Sequence, residues 1–142
     1  MIKPSTQTNL YELNYELNNL IDLYKKNILP NKILLTGQKG IGKSTMAYHL
    51  VNYILSENEE FSYDIHNFKI NEKNKTYKLI QNKTNPNFIL IDVLDEQKKI
   101  DIGQIRNLIT SLNKSSFNQK PRIVLIDNVE LLNSSSINAL LK

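Results

Sequence analysis

The sequence of 142 residues contains no cysteine. A chain without cysteine forms no disulfide and no thiolate zinc site, and it has no cysteine nucleophile. Arginine is scarce, since Arg106 and Arg122 are the only two. The sequence also has no apolar run long enough to span a bilayer, and Met1–Ser5 does not begin a signal peptide. We therefore expect a cytoplasmic protein that needs no zinc.

Positive charge exceeds negative charge, with 18 Lys and Arg against 14 Asp and Glu. A basic balance is compatible with nucleic acid as a neighbour. The lysines are scattered among many asparagines, and solvated surfaces explain that pattern equally simply. Charge alone therefore leaves both interpretations open. The length suits one domain.

Glycine is rare, yet three of the four glycines lie within six residues. Residues 37–44 match the phosphate-binding loop pattern, in which two glycines with four residues between them precede Lys and Ser. Such glycines let backbone N–H groups converge at the start of a helix. We predict that Lys43 contacts the β- and γ-phosphates of ATP and that Ser44 binds Mg²⁺. The predicted nucleotide-binding residues are Gly37, Gln38, Lys39, Gly40, Ile41, Gly42, Lys43, Ser44 and Thr45.

Secondary structure is predicted on both sides of this loop. The apolar run Ile33–Thr36 has the length of a buried parallel strand, and the residues after the loop recur at helical spacing. A leucine stripe predicts a helix over 10–26, with Asn9 and Glu12 as a capping box. Residues 56–87 fit a loop, a short hairpin and a short helix beginning near Thr76.

Two further apolar runs, Phe88–Ile91 and Ile123–Ile126, predict strands that alternate with helices. One of these helices is predicted to be capped by Asp101, and a later one by a serine at the start of 134–142. Alternating strands and helices predict an α/β fold with a parallel sheet.

A phosphate loop requires an acidic residue at the end of another strand, where it holds the Mg²⁺ shell. Asp92 and Asp127 both follow an apolar strand, so spacing alone leaves either one open. Asn128 stands where many ATPases have the Glu that activates water, and an amide cannot accept the proton. Glu130 is a possible substitute. We therefore predict ATP binding with weak or absent hydrolysis, and the identity of a catalytic residue stays open.

Nearly the whole chain resembles the AAA+ module of bacterial clamp-loader subunits, most closely the delta-prime type of DNA polymerase III. The resemblance is carried by Leu29–Gly37, Gly40–Ala47, Asn85–Ile89, Ile102–Leu108, Arg122–Leu132 and Asn138–Lys142. It implies a three-layer P-loop NTPase fold, in which helices cover both faces of a parallel sheet. It also implies that Asp127 binds Mg²⁺ and that Asp92 marks the end of the second strand.

The resemblance further implies a subunit that helps load the sliding clamp during DNA replication. Its partners would be other clamp-loader subunits, the sliding clamp and, indirectly, primer-template DNA, without a membrane. Related gamma/tau subunits carry a four-cysteine zinc module, which a chain without cysteine lacks. A gamma/tau-type ATPase remains an alternative, and so does a small P-loop kinase, although a kinase needs an arginine cluster that is missing here.

Residues 1–142 are expected to be the N-terminal part of the AAA+ domain, without its lid and collar domains. The strand order implied by the resemblance is 5-1-4-3-2, so strands four and five would follow Lys142 and flank Ile33–Thr36. A buried strand without neighbours loses its hydrogen-bond ladder. We therefore expect this segment to lack its partners and residues 1–142 alone to fold poorly.

Overall fold

The computed structural model describes residues 2–93, 98–114 and 118–141. The chain divides into two compact units, Met1–Asn85 and Pro86–Lys142. The first unit is built mainly of helices, and the second combines a small parallel sheet with helices. The α/β class predicted from the sequence is therefore confirmed. The three-layer arrangement stays a prediction.

The first unit is organised around one central helix. After a 3-10 helix at Pro4–Thr6 come α1 (Asn14–Lys25), α2 (Lys43–Leu55) and α3 (Lys75–Gln81). Helix α2 contacts each of the other three. The buried core of this unit consists of Leu10, Leu13, Leu17, Ile21, Met46, Tyr63 and Ile70.

Helix α1 begins four residues later than the sequence predicts. Residues 8–10 are extended because they pair antiparallel with 68–70: the Leu10 amide donates to the Phe68 carbonyl at 3.2 Å, and the Ile70 amide to the Thr8 carbonyl at 2.9 Å. Glu12 has a φ of 63°, which is left-handed rather than helical. The capping box predicted for Asn9 and Glu12 is therefore wrong.

The segment Ile33–Thr36 is not a strand, contrary to the prediction. Its side chains are largely exposed, with Leu34 at 69% and Ile33 at 43%. Within the described ranges, no backbone hydrogen bond joins residues 33–36 to another segment. A strand exists only beside another strand that satisfies its N–H and C=O groups, and this segment has none there.

Residues 56–87 contain the elements that the sequence predicts for them. Helix α3 begins at Lys75, one residue before the predicted start, and Asn74 caps it by accepting from the Tyr77 amide at 2.6 Å. Asp64 and Lys69 form an antiparallel bridge, which closes the short hairpin. The predicted loop, hairpin and helix are thus confirmed.

The second unit contains two parallel strands, β1 (Phe88–Ile91) and β2 (Ile123–Ile126). They pair in register, from Phe88 opposite Ile123 to Ile91 opposite Ile126. Helix α4 (Ile102–Leu112), a 3-10 helix at Val129–Leu131 and α5 (Ser134–Leu141) complete the unit. Its buried core consists of Ile91, Ile100, Ile105 and Leu108. Both predicted strands are confirmed.

The helix caps of the second unit confirm one prediction and correct another. Asp101 and Gln104 form a capping box at the start of α4, as expected for a cap at Asp101. Helix α5 is capped by Asn133, whose Oδ1 accepts from the Ser136 amide at 2.8 Å. The predicted serine cap is wrong because the helix already begins at Ser134, one residue after the cap. The helices in the described ranges are all too short or too polar to cross a membrane.

Candidate phosphate-binding loop and acidic strand ends

The glycine-rich loop leads directly into α2. Gly37, Gly40 and Gly42 have φ values of 152°, 86° and 104°, in the region that favours glycine. Gly42 is the residue that precedes the helix, and Lys43 is the first residue within it. The first N–H groups of a helix have no acceptor inside the helix, and the helix dipole adds positive potential there. The loop therefore has the backbone conformation that suits an anion.

Lys43 folds back over this loop. Its Nζ donates to the carbonyl oxygen of Gly37 at 2.7 Å and to that of Gln38 at 2.9 Å. These two contacts place the ammonium group at the first residues of the loop, while its own backbone lies at the last. The loop is thus closed around one positive charge. Lys43 therefore lies close to Gly37 and Gln38 in space as well as in sequence.

Glycine is required in this loop for its backbone angles rather than for lack of room. A Cβ on Gly40 would meet no atom within 4 Å, so open space borders the backbone there. A Cβ on Gly42 would lie 3.5 Å from a methyl group of Leu13, which is ordinary contact. The positive φ values nevertheless make any side chain strained at both positions. The open space beside Gly40 fits a group that approaches the backbone closely.

The helix that follows the loop is fixed by buried polar side chains. His49 is fully buried, with Nδ1 at 2.7 Å from the Tyr63 hydroxyl and Nε2 at 3.0 Å from the Gln7 carbonyl. Because a carbonyl only accepts, Nε2 carries the hydrogen and Nδ1 accepts from Tyr63. Burial lowers the pKa of His49 and raises that of Tyr63. Both ring nitrogens of His49 are therefore hydrogen-bonded inside the first unit.

A second set of buried polar side chains connects α2 with the start of α3. The amides of Asn52 and Asn74 exchange two hydrogen bonds, at 3.2 and 2.9 Å, and both side chains are 1% exposed. Ser56 donates to the same Asn52 oxygen at 3.3 Å and accepts from the Tyr63 amide at 3.1 Å. Buried polar groups that are fully paired specify one geometry. This network holds the axis of α2 in place behind the loop.

In the second unit, the acidic residues lie at the carboxyl ends of the paired strands. The Asp127 amide donates to the Ile91 carbonyl at 2.9 Å, which extends the ladder by one step. One carboxylate oxygen of Asp92 accepts from the Asn128 side chain at 2.8 Å and from the Val93 amide at 2.7 Å. Asp127 accepts from the Asn128 amide at 2.9 Å. Asp92, Asp127 and Asn128 therefore form one cluster.

The predicted site residues are divided between the units. The nine residues of the loop lie in the first unit, whereas Asp127, Asn128 and Glu130 lie in the second. Glu130 is exposed and belongs to the 3-10 helix at Val129–Leu131. In the described ranges, no group of three His, Asp or Glu side chains is placed to hold a metal ion.

Sequence reasoning missed the hydrogen bond between Asp92 and Asn128. Both residues were considered separately, one as a candidate for Mg²⁺ and the other as a replacement for Glu. The available signal was that both follow predicted parallel strands, whose carboxyl ends meet at one edge of a sheet. Adjacent pairing of β1 and β2 makes the contact possible.

The fold and the loop define a mixed α/β protein in which a glycine-rich loop directly precedes the central helix of the first unit. Comparison with known families gives a more specific result: residues 14–142 match the family described as DNA polymerase III, delta subunit. Because the match covers most of the chain, the protein belongs to this family and is a clamp-loader-type subunit of DNA polymerase III. No curated protein is similar enough in sequence to count as a relative.

Proposed function

We propose that the chain is the ATP-binding part of a delta-prime-type subunit of the bacterial replicative clamp loader. The observation that carries the proposal is the loop itself: three glycines with positive φ, ending at a lysine that begins a 13-residue helix. This conformation and charge suit the phosphates of a nucleotide. Membership of the DNA polymerase III family supports the clamp-loader role.

The chemistry of the side chains fits ATP with Mg²⁺. Backbone N–H groups of 37–45 would bind phosphate oxygens, and Lys43 would exchange its loop carbonyls for the β- and γ-phosphates. Ser44 of the loop would bind Mg²⁺, which supplies charge neutralisation when it is bound. The resemblance to clamp-loader subunits assigns a Mg²⁺ ligand to Asp127 as well. Magnesium keeps several of its waters and needs only one or two protein ligands, and a hydroxyl or a carboxylate oxygen suits it.

The proposed subunit binds ATP but turns it over slowly. Asn128 has no group that accepts a proton at neutral pH, and its amide nitrogen already donates to Asp92 at 2.8 Å. Glu130 is exposed on the next turn. A subunit of this kind would act in the cytoplasm, within an assembly with other clamp-loader subunits. It would help them place the sliding clamp on primer-template DNA, which it contacts only indirectly.

Titration calorimetry of Mg²⁺–ATP tests the proposal. Lys43→Ala removes a charge-assisted contact to phosphate, so the affinity should fall about 10- to 100-fold. Lys32→Ala is the matched control, because it removes the same charge from an exposed residue just before the loop. The control should bind ATP as tightly as the wild type.

Equal affinity in the wild type and Lys43→Ala would refute the loop as a nucleotide site. Phosphate release measured on the same samples separates the subunit types. Rapid turnover that disappears in Asp127→Ala would identify an ATPase of the gamma/tau type instead. Co-purification with the other clamp-loader subunits tests the assembly independently of ATP, because a small kinase would not enter that complex.

A further inference from the structure

The strand ends of the second unit contain a residue pair whose hydrogen-bond roles are fixed. Asp92 offers only acceptors, and Asn128 meets it with the donor side of its amide at 2.8 Å. The same Asp92 oxygen accepts from the Val93 amide at 2.7 Å. Both donors therefore converge on one carboxylate oxygen, which fixes the direction of the Asp92 side chain.

The backbone of Asp92 is held from a second direction. Its carbonyl accepts from the Gln104 side-chain nitrogen at 2.8 Å, and the oxygen of Gln104 accepts from the Asp101 amide at 3.0 Å. Helix α4 thus fixes Asp92 through its own capping box. The Asp92 backbone is therefore positioned by contacts that do not involve Asn128.

The backbone of Asn128 favours a short amide side chain. Its φ and ψ are 54° and 48°, in the left-handed region that Asn tolerates better than most residues. Its carbonyl accepts from the Leu131 amide at 2.8 Å, which ties the conformation to the 3-10 helix. A longer acidic side chain here would meet backbone strain and the Asp92 carboxylate together.

The geometry points to Asp92 as a positioning residue that selects an amide over a carboxylate at position 128. It acts through Asn128 and needs no contact with a nucleotide. Only the consequence for ATP hydrolysis rests on the proposed function. Under that function, Asn128→Glu alone does not produce a working ATPase, because the neighbouring Asp92 repels the new carboxylate. Water activation at this position requires a second change, at Asp92.

The test is a double-mutant cycle by urea unfolding at one neutral pH. Asn128→Asp keeps the side-chain size and changes a donor into a second acceptor, so the folding equilibrium constant should fall about fivefold or more. Asp92→Asn alone keeps an acceptor for Asn128 and should change it less. The exchange Asp92→Asn/Asn128→Asp restores one donor and one acceptor and should recover most of the loss. Asp127 and Glu130 are present in all four proteins, so their charges cancel in the comparison.

Rescue in the exchanged pair is the decisive result, since the two losses would simply add if Asp92 and Asn128 acted independently of each other. Additive losses would overturn the inference. The second measurement is ATP turnover by the assembled clamp loader. Asp92→Asn/Asn128→Glu should exceed Asn128→Glu by about tenfold or more, the lower range of a positioned general base, and equal rates with ATP still bound would overturn the hydrolytic consequence. If no variant binds ATP, the proposed function fails, while the unfolding cycle still decides whether Asp92 selects the amide.

Discussion

Ile33–Thr36 and Ile123–Ile126 are segments of the same length and similar apolar character in different structural settings. The second is strand β2, paired along its length with β1 and partly buried. The first forms no strand and is largely exposed, with Leu34 at 69%. Their sequences predict the same element. The neighbour, rather than the segment, decides which of them becomes a strand.

Backbone chemistry explains this difference. Each residue of an extended segment leaves one N–H and one C=O group to be satisfied, and only an adjacent strand satisfies a row of them. Strand β2 has such a row, and the bonds from the Ile123 amide to the Asn87 carbonyl and from the Asp127 amide to the Ile91 carbonyl mark its two ends. Residues 33–36 bond to no other backbone segment within the described ranges, so no adjacent strand satisfies them there.

The two units also differ in what their helices bury. Helix α2 buries the polar residues His49 and Asn52 along with apolar residues, whereas the buried residues of α4 are Ile105 and Leu108. An apolar core gains stability from area removed from water. A paired polar core adds little net stability but allows one arrangement only. Helix α2, which follows the glycine-rich loop, is thus the one held by directional contacts.

Hydrogen exchange gives the largest expected contrast between the two segments. The Ile123 amide donates to the Asn87 carbonyl at 2.8 Å and the Asp127 amide to the Ile91 carbonyl at 2.9 Å, so we expect protection close to that of global unfolding. For a stability of about 5 kcal/mol this corresponds to roughly a thousandfold or more. The amides of Ile33 and Leu34 should exchange close to their intrinsic rates. Strong protection of residues 33–36 in a monomer would show that the segment has found a strand partner.

The same substitution in strand β1 and in the segment Ile33–Thr36 should have unequal effects on stability. Ile91 is 6% exposed and belongs to the core of the second unit, whereas Ile33 is 43% exposed. Ile91→Ala should lower the free energy of unfolding by about 2–4 kcal/mol, because it leaves a cavity beside α4. Ile33→Ala should lower it by less than about 1 kcal/mol.

Urea unfolding of the two Ala variants measures this difference, and each is the control for the other. Equal losses would mean that Ile33 is buried in solution. An apolar segment that stays exposed is also a site for association. The wild type and Ile33→Ala should therefore be compared by light scattering, where less association of the variant would sharpen the contrast.

Local patterns predicted the parts of the fold that depend on local interactions. The cap at Asp101 follows from chemistry within one helical turn, and the phosphate loop follows from glycine spacing that demands positive φ. The strand predicted at 33–36 was wrong, because strand formation depends on a neighbouring strand that is distant in sequence. The predicted start of α1 was wrong for the same reason. Residues 8–10 pair with 68–70, and no pattern near Leu10 encodes that contact.

The candidate site follows the same division. The loop residues were predicted as a set because they are consecutive, and in the structure Lys43 contacts the Gly37 carbonyl at the start of the loop. The contact between Asp92 and Asn128 joins residues 36 positions apart. Predicting it requires knowing that β1 and β2 are adjacent, and strand order cannot be read from either strand.

The contrast between the two helices predicts that acid weakens the first unit through His49. Burial lowers the pKa of this residue, so the unfolded chain binds a proton more readily than the folded one. Stability is therefore fully present above the ordinary histidine pKa of about 6.5 and is lost as the pH falls through and below that value. One proton limits the slope to about 1.4 kcal/mol per pH unit.

Urea unfolding between pH 7.5 and 5 measures this slope in the wild type, in His49→Gln and in His66→Gln. The second substitution is the matched control, because His66 is an exposed histidine of the same unit. His49→Gln should be less stable at neutral pH, since it disturbs the bonds to Tyr63 and Gln7, and its stability should depend less on pH. His66→Gln should keep the slope of the wild type. A slope that survives in His49→Gln would mean that another group takes up the proton, and the polar core around α2 would then be no more sensitive to acid than the apolar core around α4.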